Sequence, residues 1–255
     1  MTDTAVEDAI DMVLKPIQQF TRGWMLTRST AERGVELGLA SGEDFWICGR
    51  AGVLGECRPE VAAAGLAFIA PDAVASSWDS LPPGMTHGQI AEEYSRCCTD
   101  WGRTALAEFD PSRMDRLDTL GRRVAGSAPA ALGSLFAGWR AMPTPDDVGA
   151  RVALTTHVLR EMRGAAHIIA IQACGLTPLD AVLASPAPPP RSGPGWAEHL
   201  SWTGPFRDPE EVRQARMEAE ALTSSILRPY FGALVGDELD ELTEVVVTTR
   251  AALDM

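Results

Sequence analysis

The sequence predicts an all-α fold, with two packed helical halves, a long Pro/Trp-rich connection and two C-terminal helices. Three observations carry that prediction. Apolar residues recur at helical spacing along most of the 255-residue chain. Helix-starting and helix-stopping residues flank those runs. The run Val245 to Val247, which favours a strand locally, lies inside a helical pattern.

The elements follow in order. "DTAVEDAIDMVLKPIQQF" spaces Val6, Ile10, Val13 and Ile17 for one helix face, with Asp3 or Thr4 as its N-cap. "STAERGVELGL" offers Ser29 and Thr30 as caps and Gly38 as its limit. "PEVAAAGLAFIA" starts on Pro59, at a first helical position, and stops at Pro71. A longer run begins at Thr86 and heads towards Asp110-Pro111; "SRMDRLDTLGRRVAGSA" and "PAALGSLFAGWRAM" continue the pattern in shorter pieces. Thr144 as cap, Pro145 at the first position and Asp146 and Asp147 at the positive end predict a long helix. It runs to Cys174, with Gly175 as its stop and Gly164 as a point of bending or close crossing, and "TPLDAVLA" follows at once. From Ser185 to Pro209 the chain turns rich in Pro, Gly and Trp. Trp196, Trp202 and Phe206 predict a segment wrapped over the body or closing as a lid, because a solvated tether rarely carries such aromatics. "DPEEVRQARMEAEALTSSILRPYFGAL" and "GDELDELTEVVVTTRAAL" close the chain. The implied parts are residues 1–142, 143–184, 185–209 and 210–255, as separate units or within one single domain overall.

Composition narrows the function. Basic residues number 22 against 35 acidic ones, a formal charge of -13, which repels a phosphate backbone and argues against nucleic acid as a partner. Five cysteines without a C-x2-C pair argue for reduced thiols. No apolar run reaches the ~18 residues of a membrane span, and a cytoplasmic protein is expected. No His/Glu spacing requests a metal, and no cofactor is expected.

The segment "HVLREMRGAAHIIAIQACG" concentrates the chemistry. At 100° per residue, Arg160, Arg163, His167 and Cys174 share one narrow stripe, while His157, Glu161, Ile168 and Gln172 form a second. Charges on a helix that is apolar elsewhere are either paired or turned into a cavity. Under the cavity reading His167, Glu161 and Arg160 are catalytic, by proton transfer, orientation and oxyanion stabilisation. Arg163 and Arg50 then hold an anionic substrate end, with His157, Trp46, Trp196 and Trp202 as further substrate contacts. Under the pairing reading the arginines merely join helices through acids such as Asp146, Glu161 or Asp180. Around Arg50, glycines 49, 52 and 55 permit a close approach of two helices or a turn, with Arg50 directed either inward or, under tight packing alone, to solvent. His87, near a helix start, reads as a surface residue, and His199 as a further cavity candidate.

"FWICGRAGVLG" and "LREMRGAAH" resemble a family of actinobacterial proteins described as helix-turn-helix, with a carboxy-terminal part like MarR regulators. The family patterns are G-R-A-A-P-L-G and L-R-E-H-R-G-D-G-H. Gly49, Arg50, Ala51, Leu54 and Gly55 match the first; Leu159, Arg160, Glu161, Arg163, Gly164 and His167 match the second. Met162 stands in place of a histidine, and Ala165 and Ala166 in place of Asp-Gly. The resemblance implies a regulator-derived helical scaffold. Its winged segment is reduced here to a stretch whose Arg207, Arg213 and Arg216 are outnumbered by acids, a poor recognition helix. The leading expectation is a cofactor-independent cyclase, isomerase or lyase of small-molecule biosynthesis, acting on an apolar carboxylate or carbonyl compound. The alternatives are a ligand-responsive, dimeric MarR-like regulator and a non-catalytic small-molecule-binding accessory protein.

Overall fold

The computed structural model describes residues 3–187 and 190–253, with side chains from residue 9 onward. Among these residues every regular element is helical, as the periodicity predicts. Thirteen α-helices follow in chain order: α1 (Asp3–Phe20), α2 (Arg28–Glu36), α3 (Gly42–Ala51), α4 (Pro59–Gly65), α5 (Pro71–Trp78), α6 (His87–Ala105), α7 (Pro111–Ser127), α8 (Ser134–Arg140), α9 (Val148–Ala173), α10 (Pro178–Leu183), α11 (Gly193–His199), α12 (Arg213–Phe231) and α13 (Glu238–Ala252). The caps expected at Asp3 and Thr4, the side chain of Val6, and Pro188 and Pro189 of the Pro-rich segment lie outside the described residues.

Local chemistry sets most boundaries. Thr86 and Gln89 form a reciprocal capping box at the start of α6, and Thr177 and Asp180 do the same for α10. Proline occupies the first position of α4, α5, α7 and α10, where its missing N–H costs nothing. Gly38 and Gly175 adopt left-handed backbone (φ 96° and 72°) just past α2 and α9, the stops the sequence signals.

Two expected caps are corrected. α2 is capped by Thr27, whose hydroxyl accepts from the Thr30 amide, rather than by Ser29 or Thr30; Thr30 instead turns its hydroxyl to the Trp24 carbonyl. α9 starts at Val148 under Asp147, whose carboxylate accepts from the Ala150 amide. Thr144, the expected cap, is engaged by Arg122 instead (3.2 Å).

α9 is the axis of the fold, packed against α1, α6, α7, α8 and α12. A helix surrounded in this way has no wide polar face, which explains its nearly unbroken burial from Val152 to Leu159. Where α6 crosses it, Gly102 and Gly149 bring the backbones together; a Cβ on Gly102 would stand 2.4 Å from the Gly149 carbonyl oxygen. The main core runs from Ile10 in α1 to Val246 in α13 and centres on Trp24, Tyr94, Trp139, Phe20, Phe45 and Phe136. A smaller cluster, Ala170, Ile171, Leu176, Ala181, Val212 and Ala219, ties the end of α9 to α10 and α12.

The predicted close approach around Arg50 is present at Gly49 and Gly52 and absent at Gly55, where a Cβ would meet nothing within 4 Å. A Cβ on Gly49 would meet the Tyr94 ring at 2.5 Å, and one on Gly52 the His87 carbonyl oxygen at 2.2 Å. The Gly52→Ala variant is therefore expected to lose about 1–3 kcal/mol by overpacking α6. Urea denaturation followed by circular dichroism checks it, and an unchanged midpoint would contradict it.

Candidate functional site

A cavity of about 480 Å³ opens beside the second half of α9. α9 contributes Arg160, Arg163, Gly164 and His167, at successive turns of one face; Cys174, the fourth residue of the predicted stripe, is not among the lining residues. α3 adds Trp46 and Arg50, α12 adds Arg216, and the turn after α1 adds Arg22. Phe68 and Ile69, Val182 of α10, and Arg191, Trp196, His199 and Leu200 of the Pro/Trp-rich segment complete it. A second crevice, of about 130 Å³ beside Arg122, Trp139 and Arg151, holds no buried polar atom lacking a partner among the described residues.

The cavity is strongly cationic. Six arginines line it, and no aspartate or glutamate is among the described lining residues. Two glutamates just behind the wall offset part of the charge. Glu161, 2% exposed, accepts a bidentate pair from Arg50 (Nε–Oε1 2.8 Å, Nη2–Oε2 2.9 Å) and a third bond from Arg160 (2.6 Å). Glu220 of α12 meets Arg163 (2.5 Å) and Arg216 (2.5 Å). Six guanidinium groups against two carboxylates leave an excess of four positive charges. The pairing expectation thus holds for Glu161. Asp146 and Asp180 take no part: Asp146 offers only its carbonyl, to Arg151, and Asp180 faces Thr177 and Arg207.

The excess charge shows in the ionisation of the groups. Burial, together with Arg50 alongside, brings Arg160 down to about 10. Arg216 is lowered by burial and by Arg163, against the opposing pull of Glu220. Burial alone would lift Glu161, but Arg50 and Arg160 hold its carboxyl far below the usual carboxylate range. Arg50 moves the other way for the same reason, with Glu161 outweighing burial.

His167 is 4% exposed, and burial followed by Arg163 and Arg216 pushes it down to about 2, so the ring is neutral. Its tautomer follows from its neighbour. Thr223 donates its only hydroxyl proton to the Ala219 carbonyl (2.6 Å), so it accepts from His167 Nδ1 (2.8 Å). Nε2 then carries a lone pair, and no side chain meets it. The Trp46 Nε1–H is also buried without a partner. His167 and Trp46 both line the cavity, but these two unmet atoms are themselves closed off behind its surface.

Other expected residues stand elsewhere. His157 is not a cavity residue. It is fully buried between the edges of Trp24 and Trp139 (ring centroids 5.1 and 4.2 Å), its Nε2 3.7 Å from Glu161. Trp202 does not line the cavity either; its Nε1 donates to the Phe68 carbonyl (2.9 Å) and pins the Pro/Trp-rich segment down. The Ala70 amide, bonded to the Leu200 carbonyl (3.0 Å), is a second pin that holds the segment against the body. Trp196 lines the cavity and stacks on His199 (4.8 Å, 20°). His87, expected at the surface, is instead buried and stacked on Trp78 (3.6 Å), with Glu56 and the Trp78 carbonyl at its two nitrogens. Among the described residues no group of three His, Cys, Asp or Glu is placed to hold a metal ion, and no helix is long and apolar enough to cross a membrane.

A sequence-family model described as a helix-turn-helix family matches residues 9–254. The chain belongs to that family. The match includes both the segment around Arg50 and the segment from Leu159 to His167. No curated protein matches the chain, and no solved structure does. For this helix-turn-helix family member, the α9 cavity is the feature with unmet chemistry.

Proposed function

We propose that this protein is a ligand-responsive regulator of helix-turn-helix type whose effector is a small organic anion held in the α9 cavity. The observation that carries this is the ratio of six lining arginines to two supporting glutamates. Unneutralised guanidinium groups at the edge of a low-dielectric core are costly, and an anion relieves them. The volume suits a ligand of drug-like size with apolar walls on several sides.

Turnover is less well supported. A ring held near 2 offers no proton at neutral pH and is a weak base, and Glu161 is consumed as counter-ion to two arginines. Arg160 serves charge balance and anion attraction in this reading, rather than catalysis.

The DNA-facing element follows from the distribution of arginine. α7 carries four, Arg113, Arg116, Arg122 and Arg123, and is joined to α6 through residues 106–110. Three of them are met by glutamates of α13: Arg113 by Glu244, Arg116 by Glu238 and Glu241, and Arg123 by Glu238. The Arg113–Glu244 pair is exposed and the Arg116 and Arg123 pairs with Glu238 are partly buried; surface pairs contribute about 0–1 kcal/mol each, so phosphates compete for these arginines best at low salt. α9 touches both α7 and the cavity, which gives ligand binding a route to that face.

The test is a gel shift with mixed-sequence duplex at low salt. Wild type is expected to bind at micromolar concentration, and Arg113→Ala/Arg116→Ala/Arg123→Ala to bind at least about tenfold more weakly. Absence of any shift would overturn the DNA-binding part and leave a small-molecule-binding protein.

A further inference from the structure

The six cavity arginines form three pairs, and only two of the pairs have an acid. Arg50 and Arg160 share Glu161, and Arg163 and Arg216 share Glu220. Arg22 and Arg191 line the same cavity at its solvent side, where Arg22 is exposed and Arg191 half-buried. Neither meets a carboxylate among the described residues. Burial, then Arg191 and Arg250, lowers the Arg22 guanidinium, as expected of a cation facing further cations. Arg250 is itself turned to Gln19 (2.7 Å).

We infer that the effector is a planar, hydroxy- or amino-bearing aromatic acid whose anionic group bridges Arg22 and Arg191, in the place a glutamate takes in the other two pairs. The inference rests on reading the cavity as an anion site and adds where the charge sits and what the rest of the ligand offers. The body of such a molecule lies along Trp46, Phe68 and Trp196, with the guanidinium faces of Arg160 and Arg163 behind it. His167 Nε2 and Trp46 Nε1 are closed off in the free protein, so a small shift of the wall on binding is needed for its hydroxyl or amine N–H to donate to the first and a second oxygen to accept from the other. Carboxylate, sulfonate and phosphate share the required chemistry at the anionic end.

The arrangement also says how binding is felt. Arg22 belongs to the turn after α1, and Arg191 to the Pro/Trp-rich segment between α10 and α12. An acid between them fastens that segment to the body at a third point, beyond Trp202–Phe68 and Ala70–Leu200. α12 follows directly and carries Glu220 and Thr223, so the clamp acts on the helix that orients His167.

The probes are 8-anilinonaphthalene-1-sulfonate, which has an aromatic body, an N–H and an anionic group, and N-phenyl-1-naphthylamine, which lacks only the sulfonate. Fluorescence titrations compare wild type, Arg22→Gln/Arg191→Gln and Arg160→Gln/Arg163→Gln. Each glutamate stays paired in the last variant, through Arg50 and Arg216. Wild type is expected to prefer the sulfonate by about tenfold or more, the worth of one charged hydrogen-bond pair, and Arg22→Gln/Arg191→Gln to lose most of that preference. Affinity for the neutral dye stays the same in that variant. A preference that survives Arg22→Gln/Arg191→Gln but falls in Arg160→Gln/Arg163→Gln would overturn the placement and leave the anion cavity standing. Equal affinity of wild type for both dyes, or no saturable binding of the sulfonate, would overturn the cavity reading and the placement with it.

Discussion

Glu161→Gln is expected to destabilise the protein by about 3–5 kcal/mol, the loss typical of breaking a buried ion pair from one side. Glu161 is 2% exposed and serves both Arg50 and Arg160. The amide can still accept a hydrogen bond, but it supplies no charge, and two guanidinium groups are left to repel each other in the interior. Total stability of a domain is about 5–15 kcal/mol, so the variant approaches the limit of folding. Urea denaturation measures the loss. Adding Arg160→Gln to Glu161→Gln removes one of the stranded charges and should recover part of it. A loss under about 1 kcal/mol would show that the two arginines do not depend on this acid.

Acidification is expected to cost nearly as much, through two histidines. Burial pushes His157 down to about 3 and His167 down to about 2. Both rings are therefore neutral in the fold at pH values where the unfolded chain, titrating near 6.5, binds protons. The sign follows directly: their full contribution is present above pH ~6.5 and is lost as the pH falls towards their folded values. At about 1.4 kcal/mol per pH unit for each ring, stability should drop by roughly 5 kcal/mol between pH 6.5 and 4.5. Glu161, depressed in the fold, gives up its contribution only at lower pH and does not set this window. His157→Phe places a ring of similar size between Trp24 and Trp139 and should halve the slope. An unchanged slope in that variant would refute the assignment.

Some of the site was legible in the sequence because helical periodicity is local. Arg160, Arg163 and His167 fall on one stripe of "HVLREMRGAAH" whatever surrounds it, and they do face one cavity. The glycines around Arg50 announced a close approach, met at Gly49 and Gly52, but left open whether Arg50 turns inward or to solvent; the ion pair with Glu161 decides it. What the sequence could not show was assembled from distant elements. Glu220 sits in an acidic stretch of α12 that reads as solvated surface, yet it is the counter-ion of Arg163 and Arg216. Arg22 and Arg191 lie 169 positions apart, in a turn and a Pro-rich segment, where no period links them. His157 shares the helix of the cavity residues but faces Trp24 and Trp139, because α9 is buried on more than one side. His87 follows a turn-forming run, and only the tertiary contact with Trp78 draws it inside. The caps at Thr27 and Asp147 beat neighbouring Ser, Thr and Pro signals for a similar reason: the competing hydroxyls of Thr30 and Thr144 had other partners.

The central claim is that the α9 cavity selects a negative charge on an aromatic body. Isothermal titration of wild type with 1-naphthyl phosphate and with 1-naphthol tests it most directly. The account predicts one site per chain, with the phosphate ester bound at least about tenfold tighter and that margin shrinking as salt is added. Equal affinity for the charged and the neutral compound would contradict it.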